Sequence, residues 1–311
     1  MEPIVNICSP KYNSSIDIIK GGLILLVILG HIILGDLDSN IIRFIIYSFH
    51  MPIFFFISGY LLNIEKIKNL SNKKFILKYW HRMLKEWTIA WFIYTMGYCI
   101  YNGFSIHSVI YNITNPYYHL WYVPSIFISI VLVRIILKNI ENKIVSFLTL
   151  FCLGIFLYNI TNYYDIGQAY NCRLLIFLIL GIISQSTFKN IKGKYFEYSL
   201  IYLLLIIGIF YYFSSATYFY RTYVQMPLCI LLSILIFYPL IEMKKLHQNQ
   251  LEWLGRNSLS IYLWHVLPII ILKKLIEDNT LIYYIASFTI LLIFLLFVYS
   301  KSERKTNLIS H

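Results

Sequence analysis

The chain is predicted to be an all-α integral membrane protein, a polytopic bundle of about ten transmembrane helices with both termini cytoplasmic. Three features predict it. Of the 311 residues, 59% are hydrophobic, 18% aromatic and only 13% charged, and the mean hydropathy of +0.68 lies outside the range of water-soluble domains. Apolar stretches long enough to cross about 30 Å of hydrocarbon recur along the chain. Basic residues crowd every second connecting segment.

The apolar stretches fall near 18–35, 41–63, 83–101, 119–138, 144–160, 172–185, 196–213, 222–241, 258–275 and 280–300. Residues 1–311 read as a single transmembrane domain, with no stretch large enough for a separate soluble one. The first span carries charge and has no small-residue cleavage site after it, which marks a retained helix rather than a signal peptide.

Lys and Arg concentrate on the cytoplasmic side of short loops. With the N-terminus inside, only Arg43, Arg173, Arg221, Lys273 and Lys274 of the 26 basic residues fall outside. The formal net charge of +12 therefore reports topology, not nucleic-acid binding. The five cysteines are scattered singly, without the Cys/His spacing of a metal site. Cys99 and Cys172 both fall near outer helix ends, where a disulfide is possible.

The first span, "IDIIKGGLILLVILGH", puts three ionisable groups into an otherwise apolar helix. At about 100° per residue, Lys20 and His31 lie only about 20° apart in azimuth and about 16 Å apart along the axis. Asp17 sits one turn before Lys20 on nearly the same stripe, where it either orients Lys20 or merely neutralises it. A face so charged costs several kcal/mol against lipid, of the order expected for ionisable groups in a bilayer. It therefore lines a protein interior, most simply a water-accessible cavity.

Three more histidines lie within or at the edge of predicted spans. His50 stands beside Pro52, which removes the donor for the Ser48 carbonyl and so breaks the ladder of the second span. His119 opens the fourth span, and His265 lies midway along the ninth. Taken singly, His119 and His265 read equally well as core imidazoles donating to a neighbouring backbone carbonyl. The pair His31 and Asp36 forms a literal H-x4-D, but on a continuous helix the two side chains diverge by roughly 140°.

Four segments in order, "IDIIKGGLILLVILGH", "FHMPIFFFISGYLLN", "HLWYVPS" and "LGRNSLSIYLWH", resemble the acyltransferase-3 family of bacterial membrane acyltransferases. The resemblance implies transfer of an acyl group, most often acetyl, from acyl-CoA to a hydroxyl of a cell-envelope carbohydrate. It places the protein in the inner (cytoplasmic) membrane. The family's Arg, ten residues, then essential His is met here by Lys20 and His31. Its Arg cluster entering the third helix is met by Lys78, Arg82 and Lys85 in "KYWHRMLKEW", where only Arg82 is a like-for-like match.

The chemistry agrees with that reading. Attack of an alcohol on a thioester needs a base, and a neutral imidazole suits the task; His31 is the candidate, with His50 and Asp17 as supporting catalytic residues. The CoA phosphates need cations at the entrance, for which Lys20, Lys78, Arg82 and Lys85 are the candidates. His119, Trp121, Tyr122 and His265 are the candidates for contacting the acceptor, a carbohydrate or lipid-linked glycan. Asp36, Asp38 and the tyrosines at 117, 118, 163 and 164 add hydroxyl bonding and stacking in the outer segments. No permanently bound cofactor and no metal are expected; acyl-CoA, acceptor and membrane lipids are the expected partners. The rival reading is a transporter or flippase for a glycan precursor whose histidines relay protons, although no internal repeat supports it.

Overall fold

A computed structural model describes residues 14–35, 40–117, 119–163, 172–187, 249–276 and 280–309. All regular structure among them is helical. The elements are α1 (Ser14–Ile32), α2 (Ile41–Tyr60), α3 (Ile64–Asn69), α4 (Asn72–Tyr79), a π-helical turn (Trp80–Leu84), α5 (Lys85–Asn102) and α6 (Ile106–Thr114). They continue with α7 (Tyr122–Asn139), α8 (Lys143–Tyr163), α9 (Leu175–Thr187), α10 (Asn249–Arg256), α11 (Ser258–Trp264), α12 (Val266–Leu275) and α13 (Thr280–Ile309). Eight of the expected spans thus coincide with helical segments. Those near 196–213 and 222–241 lie outside the described residues, as do Asp36, Asp38, Tyr118 and Tyr164.

Four described segments are long and apolar enough to cross a membrane: α1, α7, the joined α11 and α12, and residues 281–300 of α13. Shorter apolar helices occupy 49–60, 143–157 and 175–185. The outward faces agree with a lipid environment. Leu281, Ile285, Phe288, Leu292 and Leu296 on α13 are exposed, as are Ile89, Phe92, Ile93 and Met96 on α5. Apolar surface this continuous is not left open to water by a soluble monomer.

α1 is the central helix, buried along most of its length by Ile16, Ile19, Leu23, Ile24, Val27 and Ile28. It packs chiefly on α10 and α2, while α2 pairs with α9. Two glycine pairs permit these crossings. A Cβ on Gly21 would overlap the carbonyl of Leu251, and one on Gly255 would overlap that of Asp17, so α1 and α10 meet backbone to backbone. Gly59 against Leu178 and Gly181 against Phe56 repeat the arrangement between α2 and α9. Close approach through small residues is the usual basis of packing where lipid removes the hydrophobic drive.

Polar anchors fix the connections. Gln185 Nε2 lies 3.0, 2.8 and 2.9 Å from the carbonyls of Gly59, Tyr60 and Leu62, which share its two hydrogens at the C-terminal end of α2. Arg134, buried on α7, donates to Ile67 O at 3.0 Å and Leu70 O at 2.6 Å and stacks over Phe75 at 4.5 Å. It thereby ties the segment between α3 and α4 to the bundle.

One expectation is corrected, and one question left open by the sequence is answered. α2 runs unbroken from Ile41 to Tyr60 through Pro52, because the neighbouring helical bonds hold the turn despite the missing donor. The break falls instead at His265, between α11 and α12. Pro268, three residues on, offers no N–H to the Trp264 carbonyl. Cys99 and Cys172 are both buried and free, and Cys172 Sγ donates to Ser125 O at 3.9 Å.

Candidate functional site

The helix break at His265 and the turn before α7 bring three imidazoles together. Ring centres of His31 and His265 lie 5.2 Å apart, those of His119 and His265 5.2 Å, and those of His31 and His119 5.9 Å. The three come from α1, the loop preceding α7, and the junction of α11 and α12.

Each outer imidazole is oriented by backbone. Side chains bond the backbone carbonyls around residue 265, which an apolar bundle requires. His265 Nδ1 lies 3.0 Å from Ile261 O and 2.9 Å from Tyr262 O. Leu263 O accepts from Tyr94 Oη at 3.1 Å and lies 3.3 Å from His119 Nε2. The His119 turn is pinned further by Trp87 Nε1, which donates to Leu120 O at 2.8 Å, and by Tyr262 Oη, which donates to His119 O. An irregular turn in an apolar bundle is tolerable because its polar groups are met by protein. The carbonyl partners expected of lone core histidines are present, and in addition the rings converge.

His50 is placed differently. Its Nδ1 lies 2.5 Å from Ile46 O, and the Tyr47 ring packs edge-on against both His50, at 5.1 Å, and His31, at 6.0 Å. Tyr47 therefore mediates between the two imidazoles. Arg43 stacks over the Tyr47 ring at 5.4 Å.

Below the histidines lies a cavity of about 420 Å³. Its cationic lining is Lys20, Arg82 and Arg256; Glu86, Ser58, Ser260, Tyr79, Tyr122 and Tyr262 supply other polar groups. Tyr262 links cavity and cluster, since its ring lies 5.3 Å from Tyr122, 5.1 Å from His119 and 6.2 Å from His265. Lys20 Nζ pairs with Asp17 at 2.6 Å, and Arg256 with Glu252 at 3.6 Å. Ser260 Oγ donates to Glu86 at 3.4 Å.

The π turn carries Arg82 and Met83 to the cavity wall. One wide turn between α4 and α5 rotates the following side chains relative to an α-helix, a device common at functional sites. Of the other cationic candidates, Lys78 sits beside Arg82 with its Nζ 5.4 Å from the Tyr79 ring centre. Partial burial and the charges of Arg82 and Lys66 hold its amine below its ordinary value, so an anion arriving there meets positive potential. Lys85 is exposed on the first turn of α5 and does not line the cavity. Trp121 is half-buried, with Arg173 over its ring at 5.6 Å.

Arg256, Glu86, Tyr262 and Tyr47 escape the sequence reading. Arg256 counts there only as a topology signal, although it stands in the same "LGRNSLSIYLWH" segment as His265. α1 ends at Ile32; Asp36, the second half of the H-x4-D pair, lies outside the described residues.

No curated protein and no solved structure matches the chain. The acyltransferase-3 family model, described as an acyltransferase domain, matches residues 13–300. That match runs from α1 into α13 and takes in the segments that carry the three histidines and the cationic cavity: the chain belongs to the acyltransferase-3 family and is a membrane acyltransferase by descent.

Proposed function

We propose that the protein moves an acyl group, acetyl in the first instance, from acyl-CoA to a hydroxyl of a cell-envelope or exported carbohydrate, with His31 as general base. The observation that carries this reading is the cavity joining Lys20, Arg82 and Arg256 to Tyr262, the ring that abuts the histidine cluster. Lys20 and His31 stand about 16 Å apart on one stripe of α1. A cofactor with phosphates at one end and a thioester at the other fits that separation of charge and imidazole.

In this mechanism the phosphates stay with the cations at the mouth while the narrow pantetheine arm occupies the cavity. His31 takes the acceptor hydroxyl proton as the oxygen attacks the thioester carbonyl. The tetrahedral intermediate collapses, the C–S bond breaks, and the leaving thiolate recovers the proton from the imidazolium. Thioester and alcohol become ester and thiol, and the base is regenerated.

The family resemblance and the distribution of basic residues support a ten-span domain in the inner (cytoplasmic) membrane with both termini inside. On that topology the Lys20 end faces the cytosol, where CoA resides. His119 and Trp121 then face the acceptor, Tyr122 lines the cavity that takes the arm, and His50 acts on His31 through Tyr47. The test is purified full-length protein with radiolabelled acetyl-CoA and envelope carbohydrate. Label in an alkali-labile ester together with stoichiometric free thiol is the expected result. Movement of a glycan across vesicles without thiol release would favour the transporter reading instead.

A further inference from the structure

His265 is wholly buried, and both groups within hydrogen-bond distance of its Nδ1 are backbone carbonyls, Ile261 O at 3.0 Å and Tyr262 O at 2.9 Å. Carbonyl oxygens only accept, so Nδ1 carries the proton and the neutral ring keeps its lone pair on Nε2. That Nε2 is buried without a hydrogen-bond partner. His119 shows the complementary state: its Nε2 faces Leu263 O at 3.3 Å and its Nδ1 is buried and unpartnered. Two acceptor nitrogens of fixed tautomer are thus held in a cluster whose third member is the proposed base.

Resting on the reading of His31 as base, we infer that His265 is its positioning residue: Nε2 of His265 accepts one ring N–H of His31 and leaves the other His31 nitrogen free to take the acceptor's proton. Distance selects His265 over His119. A hydrogen bond of about 2.9 Å between two imidazole nitrogens, with each ring centre roughly 1.1 Å behind its nitrogen, separates the centres by about 5.2 Å. His31 and His265 are 5.2 Å apart, whereas His31 and His119 are 5.9 Å apart. The rings stand at 60°, so rotation of the His31 ring about its Cβ–Cγ bond completes the contact.

The contact has a consequence during turnover. Once His31 holds the substrate proton it is an imidazolium, and its bond to His265 becomes charge-assisted and stronger. In this scheme the proton stays on His31 until the thiolate takes it, and His265 serves as the hydrogen-bond acceptor. The fixed acceptor supports the charged intermediate more than the resting base, which is differential stabilisation of the kind that raises kcat rather than binding.

The test is steady-state thiol release from acetyl-CoA by the full chain in membranes that hold its own acceptor, with kcat and KM separated. His265→Phe preserves a buried ring and removes the acceptor; kcat should fall by about a hundredfold or more, within the range of general-base effects, with KM for acetyl-CoA unchanged. His265→Gln places an amide oxygen where Nε2 stood and should keep at least about a tenth of kcat, since a replacement acceptor restores the orienting bond. A purely packing role reverses that order, because Phe suits an apolar hole better than an amide does. His265→Phe equal to or better than His265→Gln therefore overturns the inference. Should His265→Phe not accumulate in the membrane, His265→Ala replaces it, and added imidazole must restore kcat; absence of rescue overturns the proposal equally. His31→Gln run alongside separates the two readings: an active His31→Gln removes the base itself, whereas an inactive one with an active His265→Phe removes only the positioning role.

Discussion

Lys20 Nζ meets the Asp17 carboxylate at 2.6 Å across one turn of α1, at the edge of the cavity that leads toward His31. The carboxylate is the more buried partner, its side chain 10% exposed against 22% for the lysine. Asp17 thus holds the ammonium in place at the cavity wall, and it also leaves a charge behind if Lys20 is removed.

From this follows the first prediction. Lys20→Met should lower both expression and activity, because the buried Asp17 carboxylate then loses its ammonium, while Asp17→Asn with Lys20 retained should be milder. Lys20→Arg, which restores the cation found at this place in the family pattern, should keep most activity. The measurement is membrane abundance beside thiol release; Lys20→Met as active and abundant as Lys20→Arg would exclude a role for the charge.

The second prediction concerns donor binding. Arg82→Ala and Arg256→Ala should each raise KM for acetyl-CoA by roughly five- to thirtyfold, equivalent to about 1–2 kcal/mol, the scale of a charge-assisted bond at a partly solvated site. The rise should shrink as ionic strength increases, since salt screens the arginine–phosphate attraction that each variant lacks. Lys85, exposed outside the cavity lining, should show a smaller rise in Lys85→Ala. Unchanged KM in both arginine variants would remove the phosphates from this mouth.

The sequence carries the helical class, the shared face of Lys20 and His31, and the set of four histidines. It carries these because helical period and hydropathy are local properties. The convergence of His31, His119 and His265 depends on how α1, α7 and α11 pack, and no spacing along the chain encodes that. Pro268 was a readable signal for the break at His265; Pro52, chemically its equal, leaves α2 continuous, so proline alone does not decide. The π turn at Trp80–Leu84 has neither Gly nor Pro to announce it. Arg256 was hidden by its double meaning, since a basic residue at a helix end serves topology and ligand binding alike.

The third prediction addresses topology. In a background whose native cysteines are replaced by alanine, Lys73→Cys on α4 should resist a membrane-impermeant maleimide applied from outside, and Phe104→Cys between α5 and α6 should react. Both positions are exposed on the protein, so failure to react reports the side of the membrane and not burial. The reverse pattern would invert the bundle and put the cationic mouth away from cytosolic CoA.

The fourth prediction tests the glycine crossings. Gly255→Val forces a side chain into the Asp17 carbonyl, and Gly181→Val does the same at Phe56. Each should destabilise the protein by about 1–3 kcal/mol, the usual cost of overpacking, read as a lower unfolding temperature in detergent. Gly97 and Gly22 have open space where a Cβ would stand, and Gly97→Ala should be neutral or slightly stabilising, since alanine favours the helix. Equal effects at Gly97 and Gly255 would mean that backbone contact does not set these crossings.

The last prediction concerns His31 itself. The imidazole stands on a largely buried helix, yet it lies on the Lys20 stripe and abuts two other imidazoles rather than lipid. His31→Ala should leave the protein folded and inserted, because replacing an ionisable group by a small apolar one favours a membrane helix. Turnover should nonetheless fall by about a hundred- to ten-thousandfold, the usual contribution of general acid–base catalysis. His31→Gln is the sharper variant. It keeps a donor and an acceptor in nearly the same place but cannot take a proton from an alcohol, so an orienting or packing role would survive it and a basic one would not. KM for acetyl-CoA should stay near the native value in His31→Gln, since the donor's phosphates are held about 16 Å away at the Lys20 end. Near-native acetyl transfer by His31→Gln, measured with labelled acetyl-CoA in membranes, would make the imidazole a structural element and require another base.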